Sequence, residues 1–335
     1  MLLKLFKKLF LTGLSLLILF TTILGVKLYI FQHESLNLAS KDQTFLIKSG
    51  SNIKSIAENL TQQKVINDPW LFILLARLRG LETKVRAGEF HLEKAKTPDK
   101  LLDLFSRGVS VQYRFTVIEG WTFRQFLTEL QKVDELDHRI NHLSDQDIMT
   151  TLGFEGQHPE GLFFPDTYRF PKGTSDVDFL HRSYRLMNKH LNREWKSRDN
   201  DLPLNSPYEA LILASIIERE TGVPEERPLI AGVFVNRLRK NMRLQTDPTV
   251  IYGLGDEFDG NIRFKDLRTD TPYNTYTRKG LTPTPIALPG LKSIQAALHP
   301  EKTKAIYFVA KGDGSHYFSE TLEEHNRAVR KYQLK

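Results

Sequence analysis

Cysteine is absent from this 335-residue chain, which excludes disulfide scaffolds, thiolate metal sites and cysteine nucleophiles. Blocks of lysine and arginine are missing too, as is any RNA-binding aromatic signature, so no nucleic-acid partner is expected. No histidine–carboxylate pair has metal-ligand spacing, and H-E-x-x-H does not occur. Lys311-Gly312-Asp313-Gly314-Ser315 lacks the phosphate-cradling G-x-x-x-x-G-K-[ST] form and reads as a hairpin turn. No Ser–His–Asp arrangement can be inferred, and internal repeats and low-complexity tracts are lacking. The sequence therefore calls for neither metal nor cofactor.

What remains is an ordinary globular composition, 40% apolar and 26% charged. Its length exceeds the size at which one core usually stops growing, so two or more domains are expected. The net charge is +7. Residues 35–335 hold 43 basic against 39 acidic side chains, a mild excess that demands no polyanion.

Leu9 to Val26 is free of charge, and as a helix would be roughly 27 Å long at ~1.5 Å per residue. Leu28 to Phe31 complete a bilayer span if Lys27 snorkels. We expect a transmembrane helix over 9–31. Lys4, Lys7 and Lys8 would hold residues 1–8 in the cytoplasm, with the body beyond the membrane. A cleaved signal peptide is the rival, but the apolar region is long for one and no A-x-A-like site follows it.

Residues 32–43 read as a polar stalk. Thr44–Ile47 reads as a strand, and Ser51 or Asn52 can cap a helix carrying Ile53, Ile56, Ala57 and Leu60. A second helix is expected over Asp68–Leu78, a returning strand over Gly88–Leu92, and a further helix from Thr97-Pro98 to Gly108. The βααβ order over 44–110 resembles a LysM-like module, a small fold that binds N-acetylglucosamine-containing glycans; a generic α+β domain without ligand is the alternative. Over 111–335 we expect a larger α+β domain. It has a strand at 111–117, helices at 122–132 and 177–191, and a linker or surface loop near 193–205. Glu160 to Phe170 reads as an aromatic-rich buried strand crossing a turn.

Ser206-Pro207-Tyr208-Glu209 is a helix start with a capping box. Ala210 to Ile217 follow, apolar apart from Ser215, so the helix is expected to be buried all round. It ends in Glu218-Arg219-Glu220-Thr221-Gly222, with Gly222 as a natural stop. Glu218 shares a face with Leu211, Ala214 and Ser215, and Glu220 shares one with Leu213, Ile216 and Ile217. Desolvation keeps a carboxyl protonated near neutrality, as glycosidases require of the acid that protonates the leaving oxygen. Periodicity does not choose between the two. The plain alternative is a fraying helix end neutralised by Arg219.

Further segments carry a resemblance. Ala214-Ser215-Ile216-Ile217-Glu218-Arg219-Glu220-Thr221 is followed by Val233-Phe234-Val235-Asn236-Arg237-Leu238, Leu244-Gln245-Thr246-Asp247-Pro248-Thr249 and Tyr273-Asn274-Thr275-Tyr276. Glu160-Gly161, Phe164-Pro165-Asp166-Thr167-Tyr168 and His316-Tyr317-Phe318-Ser319 join them. Together they resemble the MltG (YceG-like) family of membrane-anchored endolytic murein transglycosylases, over the whole chain. Thr282 and Thr284 depart from the family's more usual proline and glycine.

The resemblance implies that Glu218 is the catalytic acid/base. It also implies cleavage of nascent peptidoglycan between N-acetylmuramic acid and N-acetylglucosamine, with 1,6-anhydro ends that terminate strand elongation. The substrate's own 6-hydroxyl is the nucleophile there, so one carboxyl suffices where a hydrolase needs two. Glu218 and Glu220 point to different sides of a helix, which suits the lytic route. Asn236, Gln245, Tyr273, Asn274 and Tyr276 are candidate substrate-binding residues, with Glu220, Glu160, Tyr168 and Asp247 as supporting ones; Asn236 reads equally as a buried structural amide, the 273–276 aromatics equally as core packing, and Gln245 to Pro248 as a turn in which Asp247 caps the segment that follows. The expected setting is the bacterial cytoplasmic membrane, near cell-wall synthases. The rivals are a non-catalytic glycan-binding anchor, and a muramidase using Asp166 or Asp247 as its second carboxylate.

Overall fold

The structure is a computed structural model describing residues 2–334, with side chains from Leu5 onward; Met1, Lys335 and the side chain of Lys4 lie outside the described residues. It is a mixed α+β protein. One compact unit comprises the chain up to Tyr113 with Glu135–Asp137 and Arg169–Thr174. The other comprises Arg114–Asp134, His138–Tyr168 and Ser175 onward. The two short excursions into the first unit had no sequence signal.

The first unit begins with α1 (Leu2–His33), then β1 (Thr44–Ile47), α2 (Ile53–Gln62), α3 (Pro69–Leu78), β2 (Gly88–His91) and α4 (Pro98–Arg107). Its helix starts follow from their caps: Asn52, Asp68 and Thr97 accept the backbone N–H groups of Ser55, Leu71 and Lys100. β1 and β2 pair antiparallel, Phe45 opposite Phe90. That register points both rings inward, where they meet Phe105 of α4 at centroid distances of 5.6 and 5.3 Å.

Leu5–His33 is long and apolar enough to cross a membrane. Its last turns also meet the core of this unit: Phe31 is buried there, and Leu24 and Leu28 pack against it. The expected stalk is also tied down. Leu36 N donates to Lys96 O and Asn37 N to Val65 O, while Leu36 and Leu38 pack on the core. Two leucines in a polar stretch were enough to dock it.

The chain continues through β3 (Tyr113–Thr116), α5 (Phe123–Leu130), β4 (Leu136–Asp137), α6 (Asp145–Thr151), β5 (Thr167–Phe170), β6 (Thr174–Ser175) and α7 (Asp176–Lys196). Then come α8 (Pro207–Glu220), α9 (Arg227–Arg239), α10 (Asp247–Leu254), α11 (Phe264–Arg268), α12 (Leu291–Leu298), the strands β7 (Tyr307–Ala310) and β8 (His316–Ser319), and α13 (Leu322–Tyr332). Of the aromatic run at 160–170 only its end is strand. α7 extends through the first residues of the expected linker, and Asp247-Pro248 opens α10.

At the centre of the second unit lies α8, packed against α12, α9, α7 and α10. All of Ala210–Ile217 is buried, as an all-round apolar helix must be. Ser206 caps it, accepting from Glu209 N. The expected capping box is not closed, because Glu209 reaches past Ser206 to accept from Asn205 N at 2.7 Å. Gly222 is not the stop either: Thr221, in extended conformation, ends the helix. Ser215, the one polar residue of the run, donates to Ile212 O and accepts from Ile286 N at 3.0 Å. A buried hydroxyl thus fastens the 286–290 segment to α8.

Candidate active site

The last turn of α8 brings Glu218 beside two loops and the start of α9. Its side chain is 5% exposed. Oε1 accepts from Arg227 Nη2 at 2.9 Å, and Oε2 accepts from the backbone N–H of Gly290 at 2.9 Å. Arg227 is itself buried and is the cation that a buried carboxylate requires. Arg219 is not the neutraliser. It is exposed and donates to Gly120 O at 3.2 Å.

The turn Ile118–Trp121 forms the third wall. Gly120 has φ +80°, a conformation that suits glycine, and Gly120 N donates to Leu288 O while Leu288 N donates to Trp121 O at 2.7 Å. Glu119 projects from this turn with its side chain half exposed and Oε2 3.8 Å from Arg227 Nη2. Burial pushes the Glu119 carboxyl up, and the Glu218 carboxylate pushes it further, against the pull of Arg227. A methyl group on Gly290 would stand 1.9 Å from Glu119 Oε1, so a side chain there would push the end of Glu119 aside.

Glu119, Arg227 and Gly290 escaped the sequence reading. Glu119-Gly120 did carry a usable signal, an acidic residue and glycine in a turn, the same dipeptide as Glu160-Gly161. Arg227 and Gly290 carried none.

Glu220 faces a different set of groups. Thr246 Oγ1 donates to its carboxylate, and burial raises its pKa, opposed by that hydrogen bond. Close by, His316 Nδ1 lies 2.7 Å from Glu226 Oε2, and Tyr276 donates its hydroxyl to Asp247 at 2.5 Å. Thr246 is the N-cap of α10, and Asp247 lies in its first turn. Gln245 adopts φ +50°, a costly conformation for a side-chain-bearing residue, with its N–H on Thr275 O. Thr275 also accepts Thr246 N and bonds Thr249, so this residue holds the loop to α10.

The amides among the expected sugar contacts have internal partners. Asn236 donates to Thr303 O and Ala305 O. Asn274, 1% exposed, donates to Asp266 O, Leu267 O and Thr269 O and accepts from Tyr276 N. Tyr273 is half-buried, its hydroxyl 2.9 Å from Thr284 Oγ1. Thr282 and Thr284, both buried, donate to Thr284 O and Pro285 O, so the two departures are accommodated. Tyr168 is a core residue 2% exposed, donating to Phe164 O at 2.7 Å, which leaves its hydroxyl no reach to a ligand.

Glu160 is buried and accepts from Phe123 N at the start of α5 and from the Tyr252 hydroxyl of α10. Tyr252 meets Tyr273 edge-on at 4.9 Å. Burial pushes Glu160 up to about 7 despite those hydrogen bonds.

A family model described as the YceG-like family matches residues 45–331. The chain belongs to that family. It is 36% identical over 305 residues to a Bacillus subtilis protein named endolytic murein transglycosylase, covering 85% of this chain and 83% of the relative. A Streptococcus pneumoniae protein of the same name is 27% identical over 328 residues; the match covers 87% of this chain and 58% of that longer relative. The crystal structure of a yceG-like protein from Listeria monocytogenes superposes with a TM-score of 0.53 at 32% identity, covering 86% of this chain and 99% of that one.

Proposed function

We propose that the chain is an endolytic peptidoglycan lytic transglycosylase. It cuts nascent glycan between N-acetylmuramic acid and N-acetylglucosamine and leaves 1,6-anhydro ends. The observation that carries this reading is the buried Glu218 carboxylate, gripped by Arg227 and Gly290 N in a chain whose relatives bear that name. In its simplest form Glu218 protonates the leaving oxygen and then accepts the proton of the 6-hydroxyl. Tyr273, Tyr276 and Gln245 remain candidate sugar contacts. Asn236 and Asn274 do not, since their amides hold backbone.

The anchor reading rests on α1. It puts residues 1–8 in the cytoplasm, the span at 9–31 with its last turns docked on the small unit, and the active unit outside, near the synthases. The β1–α2–α3–β2 order supports a LysM-like glycan-binding role for 44–110, and residues 111–335 form the catalytic domain. The test is mass spectrometry of products from uncrosslinked glycan, native protein beside Glu218→Gln. Products lighter than hydrolytic ones by about 18 Da, one water, and absent with the variant, are expected. Reducing ends instead would favour the muramidase; intact glycan with both proteins would favour a binding module.

A further inference from the structure

The turn that bears Glu119 is fixed with unusual redundancy. Trp121 N closes it on Ile118 O, Gly120 N and Trp121 O pair with Leu288, and Arg219 donates to Gly120 O. Among the described residues, the carboxyl so positioned accepts no hydrogen bond. It rests against the bare Cα of Gly290 with its face open to solvent. A rigid backbone thus holds a half-exposed carboxyl in one place at the edge of the site.

Glu218 is the converse. It is 5% exposed, and each oxygen accepts a hydrogen bond, one from a guanidinium. Those two donors fix the carboxylate in place and leave each oxygen a further lone pair with which to accept. Arg227 Nη2 faces both carboxyls, at 2.9 Å from Glu218 and 3.8 Å from Glu119. One guanidinium thus ties the two carboxyls into a single site.

We infer that Glu119 is a second catalytic residue of the site, the general acid that meets the glycan, with Glu218 as its complementary base. This deepens the transglycosylase reading and rests on it. The Glu119 carboxyl gives its proton to the oxygen joining C1 of the muramic acid to the next sugar. The C1–O bond breaks with its electron pair on the departing hydroxyl. The 6-hydroxyl oxygen of the same muramic acid bonds to C1, and its proton passes to Glu218. Proton exchange through solvent returns the pair to its starting state, and no water is consumed. Burial, and after it the Glu218 carboxylate, push the Glu119 carboxyl up, the direction a general acid needs.

The experiment compares full-length native protein, Glu119→Gln and Glu218→Gln in detergent micelles. One substrate is uncrosslinked glycan; the other is a dinitrophenyl glycoside of a muramic-acid-terminated oligosaccharide, whose leaving group needs no proton. Glu119→Gln should slow glycan cleavage by about 10²–10⁴-fold yet stay within about threefold of native on the aryl glycoside. Glu218→Gln should be slow on both. Equal losses of Glu119→Gln on the two substrates would mean a structural role and overturn the inference, as would unimpaired glycan cleavage. Reducing-end products from the native protein would instead sink the transglycosylase reading itself.

Discussion

Raising the pH should loosen this fold through one buried glutamate. Glu160 is 3% exposed and sits between Phe123 N and the Tyr252 hydroxyl. Burial lifts it from the ordinary 4.5 to about 7. Between those two values the folded state holds a proton that the unfolded chain has released, so the folded state binds more protons and stability falls as pH rises. Each decade of difference is worth ~1.4 kcal/mol, so the loss accumulated between pH 4 and pH 8 is roughly 3 kcal/mol. Glu160→Gln keeps the shape, an acceptor for Phe123 N and a partner for Tyr252, and removes the titration. Denaturant unfolding of both proteins across pH 4–8, monitored on the second unit's tryptophans (Trp121 and Trp195), should show the variant gaining on the native protein by that amount. Parallel pH curves for the two would refute the reasoning.

Arg227→Met leaves Glu218 buried without its cation and should cost about 3–5 kcal/mol, much of it recovered in the double variant with Glu218→Gln; chemical denaturation checks both, and a cost below about 1 kcal/mol would contradict the ion-pair reading. Gly290→Ala collides only with the free end of the Glu119 side chain, so melting should hardly move while glycan cleavage falls at least about tenfold, measured side by side on one preparation. Asn274→Ala strips three carbonyls of their donor and should cost about 1–3 kcal/mol, with faster hydrogen exchange over residues 266–277.

The sequence by itself determined the elements that depend on local chemistry. Asn52, Asp68, Thr97 and Thr122 mark their helix starts because a side-chain oxygen three residues before a backbone N–H is a local fact. The run from Ala210 to Ile217 announced a buried helix because burial on all faces leaves no polar stripe. The carboxylate at its end was legible for the same reason, and the resemblance singled out Glu218. Tertiary structure alone decided what surrounds it. Arg227 comes from the next helix and Gly290 from a loop 72 residues on; no periodicity links such positions. Nor could spacing tell that Asn236 and Asn274 hold backbone carbonyls, since a buried amide and a sugar-binding amide are the same residue until their partners are known. Long-range hydrogen bonds are set when loops close over a core, and that closure assigned Glu119 to the site and Tyr168 to the interior.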